Sequence, residues 1–201
     1  MRIAIIDTGS ANLNSVVQSL KRLHQEVVIT SSPDMLATFD RLLLPGVGTA
    51  KAVMDGVLKY ELKDFLCTTT TPLLGICLGM QILGTDSEEV PKGEEGVCPC
   101  LNLIDTHVRH FKVTQNRLPH MGWNTVAHEE HPLFMGIRNN AFFYFDHSYI
   151  MPVSDHTIGT CDYGEKFSAA IGFKNFLGVQ FHPEKSADAG ERLLLNFIEN
   201  F

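Results

Sequence analysis

Leu73-Leu74-Gly75-Ile76-Cys77-Leu78-Gly79-Met80-Gln81 is an apolar run in which two glycines bracket a cysteine. Leu73 to Ile76 reads as a buried strand and Leu78 to Leu83 as the helix that follows it. The turn between them fits a nucleophile elbow, where flanking glycines leave room for strained backbone and expose the central side chain. Cys77 is therefore the candidate nucleophile, and the N–H groups at the start of a helix favour its thiolate over its thiol. A solitary cysteine in apolar surroundings is more often an inert packing residue, so the reading depends on partners elsewhere in the chain.

Those partners stand near the C-terminus, in Leu177-Gly178-Val179-Gln180-Phe181-His182-Pro183-Glu184-Lys185-Ser186. A cysteine hydrolase needs an imidazole to manage protons at the sulfur and the leaving group, and a carboxylate to hold the ring. His182 and Glu184 suit these roles. Two residues apart on an extended segment, their side chains leave the same side of the backbone, and Pro183 restricts the conformation of His182.

Short apolar strands alternating with amphipathic helices surround these motifs, the pattern of an α/β domain built on a mostly parallel central sheet flanked by helices. Strands are expected at Ile3 to Ile6, Val27 to Thr30, Arg41 to Leu44, Phe142 to Phe145, Phe167 to Ile171 and Leu177 to Phe181. Lys174-Asn175 joins the last two as an antiparallel hairpin. Helices are expected from Asn14 to Leu23, across Thr49 to Leu66 as one or two pieces, and from Asp188, where Leu193, Leu194, Phe197, Ile198 and Phe201 share a face. Between Val97 and Val126, Leu101-Leu103 and Val108-Phe111-Val113 fit strands, and the stretch through Asn116 and Pro119 reads as loop. No repeat or linker divides residues 1–201, which read as one domain.

A chain of 201 residues that is 44% hydrophobic and 19% charged fits a soluble globular protein. Its formal net charge of −7 argues against nucleic acid as a partner. No run reaches membrane-spanning length and Met1 opens directly into a strand, which points to the cytoplasm. Five cysteines, an odd number, fit free thiols in a reducing compartment. Cys98-Pro99-Cys100 lacks the second ligand pair of a structural zinc, and neither a metal nor a cofactor is expected.

With Gly-Ile-Cys-Leu-Gly-Met-Gln at 75–81 and Phe-His-Pro-Glu at 181–184, the chain resembles the class I (triad) glutamine amidotransferases along its whole length. Further stretches carry a closer likeness to the glutaminase subunits of histidine biosynthesis: Asp7-Thr8-Gly9-Ser10-Ala11-Asn12-Leu13, Leu44-Pro45-Gly46-Val47-Gly48, Pro119-His120-Met121-Gly122-Trp123-Asn124 and Phe143-Tyr144-Phe145-Asp146-His147-Ser148-Tyr149. The resemblance implies a flavodoxin-like amidotransferase fold and hydrolysis of glutamine to glutamate and ammonia through a Cys77 thioester. It also implies a (β/α)8-barrel cyclase subunit as heterodimer partner, receiving the ammonia by a shielded route.

Acyl transfer builds charge on a carbonyl oxygen, which preorganised N–H groups stabilise. The elbow offers the N–H of Leu78, and the resemblance implies that Val47, turned inward between two glycines, offers the other. It further places Gly48, Gln81, Glu89, Ser148 and Tyr149 around the glutamine, Glu89 against its ammonium and Ser148 and Tyr149 at its carboxylate. Asn12, Trp123, Tyr144 and Lys185 are candidates for contact with the cyclase. Asp146 departs from the family pattern, which more often has an apolar residue there.

Overall fold

Strands β1 (Ile3–Ile6), β3 (Arg41–Gly46) and β4 (Leu73–Cys77) are buried almost throughout, as apolar strands covered on both faces must be. The structure, a computed structural model, describes residues 1–9, 13–91, 93, 95–112 and 116–201. Strand β2 (Val27–Thr30) lies at the edge beside β1, and its exposed Val28 and Ile29 fit that position. Three two- to four-residue strands follow, β5 (Asp86–Ser87), β6 (Cys98–Pro99) and β7 (His107–His110). The rest are β8 (His120–His128), β9 (Ala141–His147), β10 (Tyr149–Ile150), β11 (Thr157–Asp162), β12 (Lys166–Phe173) and β13 (Phe176–Val179).

The main sheet has the order β2-β1-β3-β4-β13-β12-β11-β8-β9. Its first five strands pair in parallel, in the order of a flavodoxin-like doubly wound sheet. The remaining pairings are antiparallel, so the sheet is mixed and the parallel arrangement is confined to the half that carries the elbow. Successive side chains sort to its two faces. Ile3, Ile5, Leu43, Leu74 and Ile76 pack with Val16 and Leu20 of α1 (Asn14–Arg22) and with Leu193, Leu194 and Phe197 of α6 (Ala187–Asn200). Ala4, Ile6, Leu42, Leu44 and Leu73 pack with Val53 and Val57 of α3 (Ala50–Lys59) and with Leu62 and Leu66 of α4 (Leu62–Thr68).

Two short helices complete the set, α2 (Pro33–Leu36) and α5 (Leu78–Gln81). The helix expected over Leu78 to Leu83 is thus a single turn, closed by hydrogen bonds from Leu83 and Gly84 to the carbonyls of Met80 and Gln81. One turn carries little macrodipole, so the helix contributes local N–H groups to the elbow rather than a long-range field. Thr49 to Leu66 divides into α3 and α4 at Glu61, whose φ is 55°. The hairpin at Lys174-Asn175 forms as expected, with Phe173 opposite Phe176.

In the antiparallel half the sequence pattern concealed β8 and β11, whereas the strand expected around Val108 forms as β7. Leu101-Leu103 is not a strand; its backbone N–H groups bond to the carbonyls of Ile82, Gly84 and Leu83. Val113 lies outside the described residues. A second sheet, β10-β7-β5-β6, occupies this region instead, and it brings the segment after β5 and the start of β10 to the mouth of the elbow.

Where β3 passes the elbow, a Cβ on Gly79 would stand 1.7 Å from the carbonyl oxygen of Leu44. Gly79→Ala is expected to cost at least about 3 kcal/mol or prevent folding, because only backbone could give way. Gly172→Ala, whose Cβ would meet its nearest neighbour at 3.4 Å, should change stability by less than about 1 kcal/mol. Urea denaturation of the two variants would overturn this account if their losses were equal.

Candidate active site

Cys77 ends β4 and precedes α5 with φ 55° and ψ −112°, a region costing roughly 1–3 kcal/mol for a residue with a side chain. Parallel pairing of Gly46 with Cys77 ties the turn to β3. Cys77 as a residue is 5% exposed. Its Sγ lies 3.9 Å from the carbonyl oxygen of Asp146 and 3.7 Å from Nε2 of Gln180.

His182 and Glu184 meet by a route other than the expected extended segment. Pro183–Lys185 forms a 3-10 turn, which folds the carboxylate back so that Oε1 of Glu184 is 2.8 Å from Nδ1 of His182. Proline at the first position of the turn accounts for it, since its fixed φ suits a helical start. The main-chain N–H of His182 donates to the carbonyl of Tyr144 at 2.8 Å, and Ser186 Oγ donates to the His182 carbonyl at 2.6 Å. The main chain that carries the ring is thereby anchored to β9.

Burial of His182 opposes a charge on the ring, but hydrogen bonding to Cys77 and Glu184 outweighs it and raises the pKa to about 10. The arrangement favours an imidazolium held between Cys77 and Glu184. Oε2 of Glu184 is buried and has no hydrogen-bond partner among the described residues.

A cavity of about 300 Å³ opens over the sulfur. Val47, Gly48, Leu78, Gln81, Glu89, Ser148 and Tyr149 all line it beside Cys77 and His182, so the residues named for the oxyanion and the substrate share one space. Burial raises the pKa of Glu89, although the N–H of Ala50 donates to its Oε2 at 2.7 Å and pulls the other way. Gln81 is buried; its Nε2 donates to the Tyr149 carbonyl and to Oε1 of Gln180, while its own Oε1 has no partner among the described residues. Asp146 is half-buried at the cavity rim, on the side of β9 that also carries Tyr144.

Trp123 is 52% exposed and stands edge-on to Tyr144, its partner across the β8–β9 ladder, with ring centroids 6.2 Å apart. The ammonium of Lys185 lies 5.6 Å from the Tyr144 ring centroid. Met121 and Phe142 are exposed on the same strands. Asn12 lies outside the described residues. Cys98 and Cys100 are free thiols, and burial first, with nearby Cys98 and Asp86, pushes Cys100 up to about 12.

Sequence reasoning passed over Gln180 and the pair His120 and His147. Gln180 is fully buried within Leu-Gly-Val-Gln-Phe, and a lone polar residue in an apolar strand is the signal that could have singled it out. His147 lines the cavity, and its Nε2 is 3.0 Å from Nδ1 of His120.

An elbow cysteine, a carboxylate-held histidine and a cavity between strand ends on a flavodoxin-like sheet define a triad amidotransferase. The profile of the family described as glutamine amidotransferase class-I matches residues 4–201, and the chain belongs to that family. Within it, the chain groups with the HisH subunits of imidazole glycerol phosphate synthase. It is 50% identical over 198 residues to that subunit of Vibrio cholerae, with 98% of each chain covered. Identity to the subunit of Escherichia coli is 50% over 200 residues, covering 99% of this chain and all of that one. Among solved structures, a glutamine amidotransferase shares the fold at TM-score 0.75 and 16% identity, covering 99% of this chain and 98% of that one. The glutaminase domain of Trypanosoma brucei CTPS with bound acivicin does so at TM-score 0.67 and 18% identity, covering all of this chain and 95% of that one. No helix among the described residues is long and apolar enough to cross a membrane.

Replacing Cys77 by Ala removes the first of the interactions that hold the His182 proton, leaving burial opposed by Glu184 alone. The His182 ring should then titrate at clearly lower pH than in the parent chain, read from its Cε1–H resonance. An unchanged midpoint would show that thiol and imidazole are uncoupled.

Proposed function

We propose that this chain is the glutaminase subunit of an imidazole glycerol phosphate synthase, acting in the cytoplasm as one amidotransferase domain over residues 1–201. The observation that carries the reading is the meeting of Cys77 and His182 in one cavity, with Glu184 bonded to the His182 ring, in a chain half identical to HisH subunits over its full length. The Cys77 thiolate attacks the side-chain carboxamide carbon of glutamine. N–H groups of Leu78 and Val47 receive the charge that develops on its oxygen. As the C–N bond breaks, His182 gives its proton to the departing ammonia, leaving a γ-glutamyl thioester. Water attacks that thioester, His182 takes the proton, and glutamate leaves with the thiolate regenerated.

Cavity size and chemistry support a glutamine at this place. Glu89, though it also accepts from Ala50, offers negative charge to the substrate ammonium. Gly48, Ser148 and Tyr149 supply backbone around its carboxylate. Oε1 of Gln81, without a partner among the described residues, is an acceptor, so it suits an N–H of the substrate rather than its carboxylate.

Ammonia released into water at neutral pH takes up a proton and loses its nucleophilic lone pair, so the product needs cover. We assign that cover to the (β/α)8-barrel cyclase, docked as heterodimer partner on the outward face of β8 and β9 and the neighbouring chain. Trp123, Tyr144 and Lys185 stand there; Asn12 is a candidate from the sequence alone. Exposed aromatic residues clustered with a cation fit the anchors of a protein interface.

Glutamate release from glutamine, measured on the chain alone and with the cyclase and its nucleotide ligand, tests the whole proposal. Strong stimulation by the liganded cyclase is expected, and equal activity in both conditions would remove the partner assignment. Cys77→Ala should abolish glutamine-dependent synthesis while the complex still works with ammonium salts; loss of both would give Cys77 a structural role. Trp123→Ala should weaken binding to the cyclase by about 2 kcal/mol or more, read by calorimetry, with glutaminase activity of the free chain unchanged.

A further inference from the structure

A second contact to the nucleophile lies on the face of the sulfur served by β13. Gln180 follows that strand directly, has no exposed surface, and is fixed by its main-chain N–H bond to the Ala169 carbonyl at 2.9 Å. Its Nε2 is 3.7 Å from Sγ of Cys77. Which end of the amide faces the sulfur is decided further along the hydrogen-bond chain. The Tyr149 carbonyl accepts only, so Gln81 must turn its NH2 group there, at 3.0 Å. The other N–H of that group meets Gln180 at 2.8 Å, where only an oxygen can receive it. Gln180 is left with its NH2 group toward Cys77.

We propose that Gln180 is a hydrogen-bond donor to the Cys77 thiolate, held in donor orientation by Gln81 and the Tyr149 carbonyl. The inference rests on the reading of Cys77 as a thiolate nucleophile and adds a residue to its machinery. Burial gives the contact its strength, since an N–H bond to a charged acceptor gains most where water is excluded.

The same carbonyl accepts from Nδ1 of His147 at 2.9 Å, so Nε2 of that ring receives the proton of Nδ1 on His120. Nε2 of His120 in turn faces the Asn124 amide at 3.3 Å. Burial, chiefly, lowers His147 to about 3, and burial lowers His120 to about 4. Both rings are neutral through the neutral range, and the direction of the chain does not change there. The charged and titratable groups around the sulfur are His182 just before the 3-10 turn and Glu184 within it, Asp146 and His147 from β9, Tyr149 from β10, and Glu89 and Lys185 at the cavity wall.

Alkylation of Cys77 by iodoacetamide across pH, followed on the Cys77 peptide by mass spectrometry, reads its thiolate directly in the full chain. Gln180→Met removes the donor at similar size, and Gln180→Glu replaces it with an acceptor. Gln180→Met should move the midpoint up by about one to two pH units, and Gln180→Glu further, with kcat for glutamine falling about tenfold or more. A role in packing alone would lower stability without moving the midpoint, and unchanged midpoints in folded variants would overturn the proposal. If neither variant folds, the side-chain amide resonances of Gln180 in the parent chain decide: they should follow the Cys77 titration, and their indifference to it would refute the contact. Glutamine hydrolysis that survives Cys77→Ala would instead bring down the nucleophile reading and leave the titration result intact.

Discussion

The contact between the backbone of α5 and the carbonyl of Leu44 sets the position of everything around it. Only a residue without Cβ fits at Gly79, and that closeness holds the first N–H groups of α5 against the end of β3. Cys77 is thereby kept in a conformation that its own side chain disfavours, at a cost offset by the buried strands on either side. Gly46 pairs with Cys77 in register, so Val47 and Gly48, the next residues along, emerge at the sulfur without further steering. One steric constraint thus aligns Cys77 and the loop beside it.

Residues that act through short, local patterns were legible in the sequence. Cys77 announced itself by the flanking glycines, and His182 with Glu184 by their nearness to each other and to a proline, although the geometry joining them is a turn and not an extended segment. The parallel half of the sheet was equally plain, because Ile3 to Ile6 or Leu73 to Ile76 are apolar without interruption. The second sheet was plain only at β7, where the strand expected around Val108 forms. Strands as short as Asp86–Ser87 and Cys98–Pro99 hold no period to read, and they exist because tertiary pairing supplies partners that local propensity does not. Leu101-Leu103 failed for the converse reason: its alternation mimics a strand, but the backbone is claimed by the loop after α5.

Gln180 marks another limit of the same kind. Its neighbours in the chain are apolar and belong to the core, and its meaning lies in Gln81 and Tyr149, which are distant in sequence. Hydrogen-bond direction is a property of the assembled network, since each amide is oriented by the next group along until a carbonyl ends the series. No window of sequence contains that information.

Strand β8 carries two kinds of residue by strict alternation. His120 turns inward to the network behind the cavity, while Met121 and Trp123 turn outward, and the pairing with β9 runs without a slip from His120 opposite His147 to Val126 opposite Ala141. Inner and outer faces therefore share a single reading frame. Insertion or deletion of one residue would exchange the two faces at once, putting an indole into the core and an imidazole on the surface. Substitution can retune the surface this hairpin presents and the network it supports residue by residue, but a one-residue change of register cannot alter one face without the other.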